Sequence, residues 1–421
     1  MKNNQMMVVI AAIVGLGIGY LLGSGQKEIV EVEKIVEVEK IVEVPVAKAE
    51  DVKIGVFLGF TGPIESIVAN MGPAAEMAIN EVSESGALLG GIKVSAVRGD
   101  TTCVDAAAAT ATAERLITTD GVAAIVGGDC SGVTGATLQN VARPNGIVMI
   151  SPSATSPALS TAEDDGLFFR TAPSDARQGQ IVADILKEKN VSSIALTYTN
   201  NDYGKGLADS IQMNFEKQGG TVTISAAHED GKGDYSAEVG ALAQAGGDVL
   251  VVAGYLDQGG KGIIQGALDT GAFDTFYLPD GMVGDSLPAA IGADLNGSYG
   301  ANPGTDSPGA AKFASMADGF DGTSAFAAES YDAAALIMLA MQAAGSTDSS
   351  ALKDKVFDVA NAPGEKIFPG ELAKALKIIA DGGDVDYVGA SAVELIGPGE
   401  SAGNYRQIEI KDQAISVVGY R

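Results

Sequence analysis

The sequence predicts an α/β fold of two Rossmann-like lobes, each a parallel sheet covered by helices. Short apolar runs alternate with stretches of helical periodicity, and Gly-rich joints separate them. The alternation runs twice along the chain. At 421 residues the chain is also too long for one small core.

Taken in order, the first element lies outside both lobes. Lys2 precedes an uncharged stretch from Met6 to Gly23, eighteen residues or roughly 27 Å as a helix. No A-x-A-like site follows, and no cysteine precedes Cys103 for lipid attachment. Residues 1–25 are therefore expected to form an uncleaved signal anchor, with a cleaved signal peptide as the alternative. Either places the remainder outside the cytoplasm, anchored on the extracytoplasmic face of the membrane or secreted. In "KEIVEVEKIVEVEKIVEVP", Ile29, Ile35 and Ile41 recur every six residues, which fits neither a heptad nor 3.6. Alternating Val30, Val32, Val36 and Val38 suit an extended form. Residues 26–50 read as a low-complexity stalk, on the order of 60 Å if extended.

From Asp51 the pattern changes. "VKIGVFLGF" reads as a buried strand. In "PAAEMAINEVSESG", Ala75, Ala78, Ile79 and Val82 fall at helical spacing before a terminating Gly86. "IKVSAVRGD" is the next strand, "VDAAAATATAERLI" an alanine-rich helix and "VAAIVGG" a third strand. A helix from about Ser131 leads to "GIVMISP". The scheme restarts with "SSIALTYTN", the helix "GKGLADSIQMNFEKQGG", "TVTISAAH", the helix "SAEVGALAQAG" and "DVLVVAGY".

Ligands of open α/β sheets sit outside the carboxyl ends of the strands. There the first run carries small hydroxyl residues, Ser131, Thr134, Ser151, Ser153 and Thr155, and no acid or base is read as standing beside them. The second run places "TNNDYGKG", "GYLDQGG" and "LPDGMVG" at the same topological position. These loops are expected to be the walls of a cleft.

Composition narrows what such a cleft can do. The 27 basic and 54 acidic residues give a net charge of −27, which excludes a nucleic-acid binder. The single histidine, His228, sits in an acidic, Gly-rich context and is expected to be solvated; its count argues against zinc sites and a Ser-His-Asp triad. No phosphate-binding P-loop occurs, and the G-x-G of "GLGIGY" lies in the N-terminal apolar segment. The chain is not expected to be an enzyme, and neither cofactor nor metal is expected. Binding a zwitterion needs less. Its carboxylate wants hydroxyls and N–H groups at a helix start, where Ser131 stands. Its ammonium wants a carboxylate with aromatic faces nearby, which Asp280, Tyr203 and Tyr255 could supply. Each has a structural alternative: helix capping for the hydroxyls, packing for Tyr203, the "PDG" turn for Asp280. Cys103 and Cys130 are a candidate bridge in an exported chain, worth roughly 3.5 kcal/mol by chain entropy, the alternative being two free buried thiols.

The stretches "IGVFLGFTGPIESIVANMGPAAEMAINEV", "CSGVTGATLQNVARPNGIVMISPSATSPALS", "FRTAPSDARQGQ", "NDYGKGLADSIQMNFEKQGGTV", "DYSAEVGAL" and "ESYDAAALIMLAMQAAG" stand in one order from Asp51 onward. In this the chain resembles solute-binding proteins of ABC importers, of the leucine/isoleucine/valine-binding type with the type I periplasmic-binding-protein fold. The resemblance implies three crossovers between lobes, with one lobe from 51–172 plus 303–403 and the other from 173–302 plus 404–421. It implies an amino acid captured by lobe closure and delivered to permease subunits of an ABC transporter, by a monomer. It places the ligand carboxylate on Ser131 and assigns contacts to the loop Ser153, Ala154 and Thr155. Tyr203 and Tyr255 would close from the second lobe, and Cys103 would pair with Cys130. Asp280 stands where the family commonly has a glutamate for the ammonium, one methylene longer. Ile67 falls where branched-chain binders place a tryptophan, which keeps an aliphatic ligand plausible and admits other side chains. Urea, short amides or peptides are the alternative ligands, and a ligand-sensing ectodomain the alternative role. Against the latter, no signalling domain is expected in cis.

Overall fold

The computed structural model describes residues 51–421; the expected anchor at 1–25 and stalk at 26–50 lie outside the described residues. Sixteen strands follow one another: β1 (Val52–Leu58), β2 (Val94–Asp100), β3 (Ala124–Gly127), β4 (Met149–Ser151), β5 (Phe168–Pro173), β6 (Ser193–Thr199), β7 (Thr221–His228) and β8 (Val249–Ala253), then β9 (Phe276–Leu278), β10 (Tyr299–Pro303), β11 (Glu365–Ile367), β12 (Val385–Tyr387), β13 (Leu395–Ile396), β14 (Glu400–Ser401), β15 (Tyr405–Lys411) and β16 (Ala414–Tyr420). They build two seven-stranded sheets, ordered β13-β14-β5-β4-β3-β1-β2 and β16-β15-β10-β9-β8-β6-β7, and a small pair β11-β12. The chain passes between the large sheets after β5, after β10 and before β15. The result is a two-lobed α/β fold.

Residues 395–421 correct the expectation of purely parallel sheets. β13 runs antiparallel to β14, and β15 and β16 form an antiparallel margin beside β10. A two-residue turn, Asp412 and Gln413, both at positive φ, reverses the chain between β15 and β16. A reversal that short permits only antiparallel pairing. The rest of each sheet is parallel, and central strands such as β3 and β8 are buried on both faces, while the edge strands β2 and β7 are not.

Helix starts follow local chemistry. The Asp105 carboxylate accepts from Ala107 N–H (2.9 Å) and Ala108 N–H (3.0 Å) and opens the helix Ala106–Arg115. Asn201 does the same for Asp202–Lys217, taking the Gly204 N–H at 3.0 Å. The helix Glu65–Ser85 starts earlier than its apolar periodicity suggested and carries Pro73 within it.

The helix Ala327–Ala344 is apolar nearly all round and buried on every face, as such a pattern demands. Two carboxyls are buried with it. Asp332 accepts from Tyr387 Oη (2.8 Å), Ala390 N–H (2.8 Å), Ser391 N–H (2.7 Å) and Ser391 Oγ (2.6 Å), which ties residues 387–391 to the helix. Burial pushes its carboxyl up to about 6 and that of Glu329 up to about 7. Folding thus favours the protonated forms. The stability this gives is full below the ordinary carboxyl range and is lost as pH rises through 6 and 7. His228 opposes it, since burial lowers its imidazole to about 4 and stability is lost as pH falls from 6.5 toward that value. Two carboxyls outweigh one imidazole, so the melting temperature is expected to be lower at pH 7.5 than at pH 5.5. Glu329→Gln should remove about 2 kcal/mol of that difference. Thermal unfolding of both proteins at the two pH values checks this, and an identical slope in the variant would contradict it.

Candidate functional site

Register brings the strand ends together. Leu58 of β1 lies opposite Asp100 of β2, and Phe57 lies opposite Gly127 of β3. The residues just beyond, Gly59, Thr101 and Asp129, therefore converge. The buried Asp129 carboxylate accepts from Gly59 N–H (2.6 Å) and Thr101 Oγ1 (2.8 Å). Burial raises its carboxyl while these donors restrain the rise. The next residue, Cys130, is disulfide-bonded to Cys103, so the pairing implied by the resemblance is present.

The hydroxyls that end β3 and β4 do different work. Ser151 Oγ donates to the Gly128 carbonyl and accepts from Ala154 N–H at 2.9 Å, holding the second loop against the first. Ser153 Oγ donates to the Asp129 carbonyl at 3.1 Å, and Ser131 Oγ accepts from Ser156 N–H at 3.1 Å. Thr134 Oγ1 bonds its own helix at the Cys130 carbonyl. Beneath them the buried Arg170 donates to the carbonyls of Ala154 and Ser156, both at 2.9 Å, and pairs with Glu400. A guanidinium tied at so many points fixes the loop's shape.

From the other sheet, Tyr203 Oη donates to Asp280 at 2.6 Å, and the Gly281 N–H meets the same carboxylate oxygen at 2.8 Å. A Cβ on Gly281 would stand 2.7 Å from that phenol oxygen, so only glycine admits this approach. The rings of Tyr203 and Tyr255 stack at 5.2 Å with 14° between planes, and Asn201 Nδ2 donates to Tyr255 Oη at 3.3 Å. Burial raises the Asp280 carboxyl, opposed by bonds from Tyr203, Gln178 and Gly281. Burial first, then the Asp280 charge, pushes the Tyr203 phenol far up, so it stays a donor.

These groups meet across a small gap. Ile64, Ile67, Asp129, Ser131, Ser153 and Phe326 line one side; Tyr203, Tyr255, Asp280 and Gly281 line the other. The space left for the centre of a water molecule is about 20 Å³, so the lobes are nearly shut. At the mouth they are bonded to each other. Ser66, in the first turn of the helix Glu65–Ser85, donates its N–H (3.0 Å) and its hydroxyl (2.7 Å) to the Asp257 carboxylate. Ser286 Oγ donates to the same group at 2.9 Å, and Asp257 N–H reaches the Pro63 carbonyl at 3.1 Å.

Six of the eight expected site residues line this gap: Ile67, Ser131, Ser153, Tyr203, Tyr255 and Asp280. Ala154 and Thr155 stand one layer behind. The Ala154 carbonyl is held by Arg170, and the Thr155 carbonyl by Asp175 N–H at 2.8 Å. Asp129 is the main omission. It sits inside the loop read as having no acid, directly before Cys130 at the end of β3, and that position was the available signal. Phe326 reaches the gap through distant chain and gave no local signal, whereas Ile64, three residues before Ile67 in the loop after β1, was simply not singled out. His228 is corrected outright: it is 1 % exposed, with Nδ1 2.9 Å from Thr197 Oγ1. As the last residue of β7 it turns inward, where the Tyr235 ring meets it edge-on.

A family model described as periplasmic binding protein matches residues 51–366. The chain belongs to that family. Among curated relatives, the Leu/Ile/Val-binding protein homolog 1 of Brucella abortus is 32% identical over 316 residues, covering 72% of this chain and 83% of the relative. Two crystal structures share the periplasmic binding protein fold. A leucine binding protein from Thermotoga maritima superposes with a TM-score of 0.72 at 21% identity, covering 88% of this chain and 98% of the other. A branched-chain amino acid transporter substrate binding protein from Streptococcus pneumoniae, in complex with isoleucine, gives 0.71 at 21% identity, covering 87% and 99%. No helix among the described residues is long and apolar enough to cross a membrane.

Proposed function

We propose that this chain is an extracytoplasmic solute-binding protein that captures an amino acid, aliphatic or branched-chain, between two closing lobes and delivers it to an ABC importer. The observation that carries this is the gap itself, with hydroxyls and a helix start on one wall and a carboxylate with two phenols on the other. The ligand carboxylate would lie on Ser131 and the N–H groups beside it, with Ser153, Ala154 and Thr155 shaping that wall. The ammonium would lie on Asp280, with Tyr203 and Tyr255 around it, and the side chain against Ile67 and Phe326. Closure follows because a ligand touching both lobes favours the shut state over the open one. The leucine/isoleucine/valine-binding relatives support the ligand class. The lobes divide as 51–172 plus 303–403 and 173–302 plus 404–421, and the protein works as a monomer with a permease on the extracytoplasmic face.

One observation favours a second reading of the side chain. Asp129 adds a second carboxylate to the gap, and an aliphatic side chain offers it no donor. An amino acid with a polar or cationic side chain would. Thermal shift across the twenty amino acids, urea and short amides tests both, since a ligand of the folded state raises the melting temperature. Leucine, isoleucine or valine giving the largest shift supports the first reading. Lysine or arginine leading supports the second, and no shift with any amino acid contradicts both. Within the same assay Ser131→Ala is expected to weaken binding by about 1–3 kcal/mol, the worth of one hydrogen bond to a charged group.

A further inference from the structure

A second cleft, of about 600 Å³, lies between the lobes beyond the amino-acid gap; Phe326 lines the first and its neighbour Ala325 the second. Both lobes contribute. Phe313 and Glu329 come from helices on the first sheet, while Arg406 of β15 and Ile415 of β16 come from the second. A volume of this size is typical of small-molecule sites.

Charge decides what it could hold. Asp285, Asp306 and Asp321 stand exposed at the rim, and Glu329 lies in the floor, 3 % exposed. The only cation lining it, among the described residues, is Arg406. Its Nε donates to Asn302 Oδ1 (2.9 Å) and its Nη1 to the Thr323 carbonyl (2.6 Å), and its charge lowers the Glu329 carboxyl without closing a salt bridge to it. Among the described residues no side chain hydrogen-bonds the Glu329 carboxylate; its oxygens stay open to the cleft, with the Arg406 charge nearby. A carboxylate so largely removed from water is stabilised by any donor or cation that reaches it through the cleft. No three acidic side chains among the described residues stand close enough to hold a metal ion. The apolar floor also suits a carbon chain better than a hydrated cation.

We propose that this second cleft binds a small organic cation of the aliphatic diamine class. One ammonium sits on the Glu329 carboxylate, the other stands at the acidic rim, and the chain between them lies along Phe313 and Ile415. Because the walls belong to both lobes, occupancy is linked to closure. The diamine and the amino acid then change each other's affinity by the same factor.

Protons give a signature that a merely acidic surface lacks. With its carboxyl near 7, Glu329 is partly protonated at neutral pH, raised by burial and the neighbouring Asp332 and lowered by Arg406. The rim carboxylates Asp285, Asp306 and Asp321 and the Tyr420 phenol line the same cleft from other elements. An arriving ammonium favours the ionised form, so binding releases a fraction of a proton at pH 7.

The test is calorimetric titration of the full-length protein with 1,5-diaminopentane, without amino acid, in two pH 7 buffers of different ionisation enthalpy. We expect one saturable site whose heat depends on the buffer. Glu329→Gln should weaken it at least tenfold and abolish the buffer dependence. Ala314→Phe, which fills the cleft without altering charge, should weaken it similarly. Absence of saturable binding, or unchanged affinity in either variant, overturns the proposal. With no amino acid present, failure of the amino-acid reading leaves this result standing on its own.

Discussion

Asp280→Ala is expected to weaken amino-acid binding by at least 100-fold, about 3–5 kcal/mol, the cost of leaving a buried charge without its partner. Asp280 is 1 % exposed and gathers Tyr203 Oη and the Gly281 N–H on one oxygen. In the proposed complex it is the nearest charge for the ligand ammonium from the second lobe. Truncation would strand that ammonium and leave the phenol without its acceptor. Asp280→Asn separates the two effects, because the amide keeps an acceptor for Tyr203 while the charge is gone. Calorimetry should find the asparagine variant impaired nearly as much as alanine if charge dominates. Near-normal affinity in both would remove Asp280 from ligand recognition.

Asp257→Ala is the second large effect, acting through closure. The Asp257 carboxylate accepts the Ser66 N–H, the Ser66 hydroxyl and the Ser286 hydroxyl, and it sits on the lobe opposite Ser66. Hydrogen bonds to a charged group are each worth about 1.5–3 kcal/mol, less here because the mouth is part-exposed. Loss of the set should lower affinity by roughly 10–100-fold. Since Asp257 does not line the gap, the loss should appear as faster dissociation with little change in association. Stopped-flow measurement of both rates decides it. A lower association rate with unchanged dissociation would show that the bonds do not hold the lobes shut.

How much of this was legible in the sequence follows from distance along the chain. The hydroxyl loops could be placed because βα alternation fixes which end of a strand a loop occupies, and Ser131 and Ser153 both reach the gap. The helices that Asp105 and Asn201 open were legible from their composition and spacing, while the two capping residues themselves were not singled out. The Ser66–Asp257 bonds were not, since 191 residues separate the partners and only the folded lobes bring them together. Phe326 likewise enters through a positive-φ turn before Ala327–Ala344. His228 misled because its acidic, Gly-rich neighbours describe the turn that follows, whereas the side chain belongs to the strand that precedes it. The antiparallel margins were missed because the strands of residues 395–421 follow one another without the helix-separated rhythm of the rest.

The central claim is that one amino acid bridges the two lobes, its carboxylate on the Ser131 side and its ammonium on the Asp280 side. The most direct measurement is a crystal structure of the protein grown with the amino acid that gives the largest thermal shift. The arrangement predicts density for that molecule between Ser131 and Asp280, with the α-ammonium within hydrogen-bond distance of the Asp280 carboxylate and the lobes shut over it. Density on the outer surface of either lobe, or an ammonium turned away from Asp280 with its carboxylate in that place, would contradict it.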